Sequence, residues 1–131
     1  MEQSKLRTGH SLLIAFLVLL PAGRAAAQDI DSGKKLFARC AACHNAETTA
    51  NKVGPHLNGV IGRAAAAVEG FNYSPAMKQA AAGGLVWDDA ALHEYLANPK
   101  AKVPGTKMVF PGLKKEKEID DLLAYLASVS G

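Results

Sequence analysis

Cys40-Ala41-Ala42-Cys43-His44 is the stretch on which the reading of this chain turns. Two thiols separated by two residues can each add across one vinyl group of a haem, making two thioether bonds. The imidazole that follows at once then sits beneath the macrocycle with a ring nitrogen directed at the iron, so the run reads as a c-type haem attachment. Three other chemistries share parts of this pattern. A zinc site would use both thiolates, His44 and a fourth donor such as His56. A dithiol–disulfide exchanger has the same cysteine spacing but wants a βαβ setting that the sequence lacks. A plain disulfide here would close too small a loop to stabilise much.

A haem held by His44 has a second axial position, and Met77, Met108, His56 and His93 are the candidates for it. His93 falls inside a helical pattern beside Glu94, on a face that reads as solvated. His56 follows Pro55 so closely that it is expected to point outward, and Met77 sits in a short helix where methionine ordinarily fills core space. Met108 differs, because it lies within Val103-Pro104-Gly105-Thr106-Lys107-Met108-Val109-Phe110-Pro111-Gly112. Such a loop delivers a side chain without obeying helical periodicity. The sequence therefore points to Met108, whose soft thioether favours Fe(II) and raises the reduction potential.

Upstream of this domain, residues 1–27 have the layout of a cleaved secretory signal. Lys5, Arg7 and His10 precede an apolar run from Leu12 to Leu20, Pro21 and Gly23 break it, and Ala25-Ala26-Ala27 offers small residues before Gln28. The run is far shorter than the roughly 20 residues of a bilayer span. Cleavage there leaves one domain, residues 28–131, and predicts export to the periplasm. Of the 15 basic residues Lys5, Arg7 and Arg24 leave with the signal, and of the 12 acidic ones only Glu2. What remains is nearly neutral, with no dense basic stripe of the kind that binds nucleic acid.

Apolar spacing in the domain is helical throughout, which predicts an all-α fold. Asp31 or Ser32 can cap a first helix with Leu36, Phe37 and Cys40 as its apolar positions, Gly33, Phe37 and Cys40 falling on one face. Ser74-Pro75 opens a short helix through Ala82, ended by Gly83-Gly84. Asp88 caps another, with Leu92, Tyr95 and Leu96 inward, that stops before Pro99. A long last helix begins near Lys115 and carries Ile119, Leu122, Leu123, Leu126 and Val129 on one side. The stretch Ala64 to Ala67 reads as a poor core segment. So many irregular residues in so short a chain are costly to order, and a large bound cofactor would supply the missing core.

The ordered series Cys40–His44, Val53-Gly54-Pro55, Gly59, Gly62-Arg63, Tyr73, Trp87, Tyr95-Leu96, Asn98-Pro99 and Pro104 to Met108, closed by Leu122 and Ala124-Tyr125-Leu126, resembles class I cytochrome c. The likeness runs over residues 29–129 and is strongest to the c2 branch of alphaproteobacteria, near mitochondrial cytochrome c. It implies three main helices plus short ones, wrapped with long loops around one haem c bound through Cys40 and Cys43. It implies His44 and Met108 as iron ligands, with the Pro55 carbonyl taking the other N–H of His44. By the same resemblance Arg63, Tyr73 and Trp87 hold the inner haem propionate, Thr106 reaches towards the outer one, and Tyr95 meets the sulfur of Met108. Gly33 and Phe37 are expected to meet Leu122 and Tyr125 where the first and last helices cross.

Function follows from the likeness as an expectation: a soluble, monomeric, periplasmic one-electron carrier and not an enzyme. Its partners would be a bc1-type complex on one side and a terminal oxidase or photosynthetic reaction centre on the other, or a periplasmic dehydrogenase as donor. Lys34, Lys100, Lys102 and Lys107 would face their acidic docking surfaces from beside the haem edge. Two departures from the mitochondrial pattern stand out, a longer Tyr73–Trp87 segment and the apolar Ala64–Ala67 run. The rival readings are a small peroxidase-type haem enzyme with a labile sixth ligand, a structural or metal-storage domain, and an uncleaved, membrane-tethered carrier.

Overall fold

The computed structural model describes residues 27–131, all of whose regular elements are helices. The leader expected over residues 1–27 thus lies outside the described residues, apart from Ala27. Helix α1 spans Ile30–Phe37, α2 Pro75–Ala82, α3 Asp89–Ala97, α4 Pro99–Lys102 and α5 Glu116–Val129. Among the described residues none is a helix long and apolar enough to cross a membrane. One isolated antiparallel bridge joins Ala64 to Val86.

Side-chain caps decide most helix starts. Ser74 accepts from the Met77 N–H at 3.1 Å and Asp88 from that of Ala91 at 2.8 Å, each satisfying an amide the helix cannot. The first helix departs from expectation, since its cap is Asp29 and not Asp31 or Ser32. Asp29 is extended and accepts from both the N–H and the hydroxyl of Ser32, at 3.1 and 2.8 Å. Asp31 instead lies within the first turn, where its charge meets the positive end of the helix. The helix also ends at Phe37 rather than running on to Cys40, with tight turns continuing the chain. Helix α4 was not foreseen: Asn98, which ends α3, caps it through a 3.3 Å bond from Ala101 N–H, and Pro99 sits at its first position.

Packing centres on the crossing of α1 with α5. A Cβ on Gly33 would collide with the Asp121 carbonyl and stand 2.8 Å from the Tyr125 Cβ, so only glycine lets the helices approach this closely. Beside it the Phe37 and Tyr125 rings lie 5.5 Å apart at a 48° tilt. Ile119, Leu122, Leu123 and Leu126 are buried from α5, while Val129 is only partly so. Ala65 is also buried, which corrects the reading of 64–67 as a poor core segment. Hydrogen bonds from Ala65 N to Leu85 O and from Trp87 N to Arg63 O, at 2.9 and 2.8 Å, stitch this run to the strand-like segment before α3.

A buried carboxylate locks the same crossing. Asp121 accepts from Lys117 Nζ at 2.8 and 2.9 Å and from the Asp29 backbone N–H at 2.8 Å. The Lys117 ammonium, then the Asp29 amide, hold the Asp121 carboxyl below its ordinary range. Two outcomes are expected. Gly33→Ala should destabilise the holoprotein by about 1–3 kcal/mol in chemical denaturation, since backbone must move to admit the methyl. Asp121→Asn should lower the urea midpoint at neutral pH. A depressed pKa contributes stability that is complete above the unfolded value and lost as pH falls through the folded one. The gap between wild type and variant should therefore narrow on acidification below the ordinary carboxyl range.

Candidate functional site

Beyond Phe37 the chain closes on itself in consecutive turns. Cys40 N–H donates to Phe37 O at 2.7 Å, and the N–H groups of Cys43 and His44 donate to Cys40 O at 3.0 and 2.9 Å. This coil sets two free thiols and an imidazole on one short segment, Cys40 half-buried and Cys43 exposed. Burial pushes the Cys40 thiol up, with Arg39 opposing.

His44 donates from Nδ1 to the Pro55 carbonyl at 2.7 Å. Burial draws its pKa below the ordinary histidine value, and the Pro55 bond works against that shift. With Nδ1 engaged as donor, Nε2 is left as the lone-pair nitrogen. Gly54 makes this arrangement possible, because a Cβ there would run into the imidazole and lie 2.7 Å from Nδ1. Its own N–H donates to Cys43 O at 2.8 Å. Lys52, which the sequence reading did not single out, donates from Nζ to the Ala41 carbonyl inside the motif. Only the side chain's reach could have signalled that contact.

Met108 stands in a second cluster, built by α3 and the 103–113 loop. The Tyr95 hydroxyl is 3.1 Å from Thr106 Oγ1 and 3.9 Å from Met108 Sδ, and Met108 N–H donates to Thr106 Oγ1 at 3.3 Å. Burial raises the Tyr95 pKa, the Thr106 bond opposing, so the phenol stays a donor. Trp87 is buried with its ring 4.8 Å from that of Tyr95. The loop is anchored where Gly112, at φ +97°, comes so near the Ala97 carbonyl that no side chain could fit. Leu113 N–H then donates to Leu96 O at 2.8 Å.

Two of the polar residues expected around a propionate, Arg63 and Tyr73, are placed by backbone groups. Arg63 donates to Asn58 O at 3.1 Å and His56 O at 3.0 Å, which leaves further guanidinium N–H groups to bind an anion. Burial draws its pKa down and Tyr73 acts in the opposite direction. The Tyr73 hydroxyl accepts from Val68 N–H at 3.1 Å, so its own proton is still available. Met77 is half-buried against the core, as expected of a filler.

Other positions depart from the sequence reading. His56 does not simply point outward: its Nδ1 is buried without a partner, and its N–H donates to Asn51 Oδ1 at 3.0 Å. His93 is partly buried, with Nε2 3.0 Å from Asp120 and 3.8 Å from Asp89. Asn58, to which no task was given, donates to Ala46 O and Val129 O at 3.1 and 2.9 Å and so ties the loop to the end of α5. Lys34, Lys100 and Lys107 are exposed, but Lys102 is ion-paired with Glu94, which removes it from a freely presented set.

These features define a class: a helical domain with paired thiols and a neutral imidazole on one turn, and a thioether held by a tyrosine on a separate loop. The family model described as "Cytochrome c" matches residues 30–130. Cytochrome c-550 of Nitrobacter winogradskyi is 53% identical over 100 residues, covering 76% of this chain and 89% of that one. Cytochrome c2 of Afifella marina is 52% identical over 98 residues, covering 74% and 79%. The structure of cytochrome cH from Methylobacterium extorquens superposes with a TM-score of 0.69 at 50% identity, covering 76% of this chain and 98% of that one. The chain belongs to the cytochrome c family, as a class I electron carrier close to cytochrome c2 with one covalently bound haem c.

The residues fit that group. Cys40 and Cys43 are unpaired thiols, Nε2 of His44 is uncommitted, and Gly54 keeps the ring clear. Among the described residues no three His, Cys, Asp or Glu side chains gather to hold a bare ion. Gly54→Ala should displace the His44 ring and lower holoprotein stability by about 1–3 kcal/mol. Denaturation followed by haem absorbance checks this.

Proposed function

We propose that the chain is a soluble periplasmic one-electron shuttle, not an enzyme, in which His44 and Met108 would be the residues that hold the haem iron. The haem, when bound, supplies a one-electron Fe(III)/Fe(II) couple. The observation that carries the reading is that each candidate ligand is already held from behind, His44 by the Pro55 carbonyl and Met108 by Tyr95 and Thr106. Two protein side chains held in this way would both serve the iron and keep a substrate from it. Little rearrangement then accompanies electron transfer. Cys40 and Cys43 form the thioether bonds, and Arg63, Tyr73, Trp87 and Thr106 serve the propionates with donors, since a buried anion must be paired.

The exported domain is residues 28–131, after removal of residues 1–27. Lys34, Lys100 and Lys107 steer encounters with acidic surfaces of a bc1-type complex, a terminal oxidase, a reaction centre or a periplasmic dehydrogenase. Such encounters need only small interfaces, and their rates should fall as salt rises.

Replacing Met108 tests the central assignment. Met108→Ala should keep covalent haem, lose the weak red band of thioether ligation in the oxidised spectrum, lower the potential and admit imidazole. The gain in imidazole affinity should be at least about tenfold, equivalent to about 1.4 kcal/mol. Unchanged potential and ligand exclusion would refute Met108 as ligand. A labile sixth site in the unaltered protein would instead favour the peroxidase-type alternative.

A further inference from the structure

Arg39 and Phe110 are not accounted for by the assignments above. The Arg39 guanidinium carbon lies 5.4 Å from the Phe110 ring centroid, within the range at which a cation is drawn to an aromatic face. Arg39 immediately precedes Cys40 and its N–H is tied to Leu36 O at 3.0 Å, so its backbone is fixed to the last turn of α1. Phe110 is partly buried against the core, and its N–H donates to Met108 O at 3.2 Å. The stacked pair therefore joins the segment that carries the thiols and His44 to the segment that carries Met108.

No hydrogen bond among the described residues makes that link. Those made by residues 104–111 run within the loop, to the adjacent Val103, to Tyr95 of α3, or to Lys114. The loop is thus hydrogen-bonded to α3, while its middle meets the α1 side through the cation–aromatic contact of Arg39 with Phe110.

We propose that Arg39 is a positioning residue, a strap that holds the Met108 loop against the haem-bearing turn and keeps the thioether seated. The proposal rests on the reading of Met108 as ligand. Releasing the strap lets residues 107–111 move away from α1 more often, and each such excursion exposes the sixth position to a competing ligand. Tyr95 and Thr106 remain in place, so the loop loosens without unfolding.

Imidazole titration of the oxidised holoprotein, read by loss of the red thioether band, tests this. Arg39→Gln should raise the apparent affinity about two- to fivefold, the worth of one exposed cation–aromatic contact. Phe110→Leu should do likewise, and the double variant should gain no more than the larger single change. Lys35→Gln, which removes a nearby exposed charge on helix α1, should leave the affinity unaltered. An unchanged Arg39→Gln protein, an equal gain in Lys35→Gln, or additive effects in the double variant would overturn the strap. Met108→Ala separates the two readings: a red band surviving in it overturns the ligand assignment itself. A band lost there, with no effect of Arg39→Gln, removes the strap alone.

Discussion

Everything in this fold is referred to the crossing of α1 and α5 at Gly33. At Gly33 the two helices meet backbone to backbone, with no side chain between them, and Asp121 closes the contact by accepting from the Asp29 amide. A crossing this tight fixes the direction in which α1 ends. The end of α1 in turn fixes the turns at 38–44, because Cys40 and Ala41 both donate to Phe37 O. The position of the paired thiols and of His44 is therefore an outcome of helix packing far from the haem chemistry. A shift at residue 33 would be transmitted to His44 through only two or three turns of chain.

The second half of the site obeys a different logic. Between α1 and α2 the chain has no regular element, and its order comes from side chains that satisfy carbonyls: Asn45 with Ala50 O, Asn58 with Ala46 O and Val129 O, Arg63 with Asn58 O and His56 O. Irregular backbone cannot bond to itself in a ladder, so it borrows donors from asparagine and arginine. Each of these bonds costs side-chain freedom and is worth only about 0.5–1.5 kcal/mol net. Their density suits a loop that has to present one carbonyl, that of Pro55, to one imidazole.

The helices were legible because apolar spacing and capping residues carry local information. Ser74, Asp88 and the α5 face all did as their positions imply. Asp29 was missed because three polar residues within four positions offer competing caps, and the choice among them is made by Asp121, 92 residues away. The motif at 40–44 and the loop around Met108 nominate candidate ligands because residue type there restricts the chemistry. What the sequence could not display were contacts made by reach, such as Lys52 on Ala41 O and Lys102 on Glu94. His56 was misread for a related reason: neighbouring Pro55 constrains its backbone, yet which way its ring lies depends on the packed loop around it.

The two candidate ligands are held with unequal stiffness. His44 is restrained by a 2.7 Å bond to a main-chain carbonyl, with the Gly54 backbone pressed against its ring, so moving it means moving the loop. Met108 is restrained by side chains, with the Tyr95 hydroxyl 3.9 Å from its sulfur. A contact to sulfur at that length is weak, and a rotation of one phenol undoes it. Of the two candidates, Met108 is therefore the more loosely held. On the proposed ligation, the surroundings of Met108 can be altered to tune ligand exchange and potential while the thiols and His44 stay fixed. An electron carrier gains from this division, since the rigid side preserves attachment of the cofactor and the softer side sets its redox character.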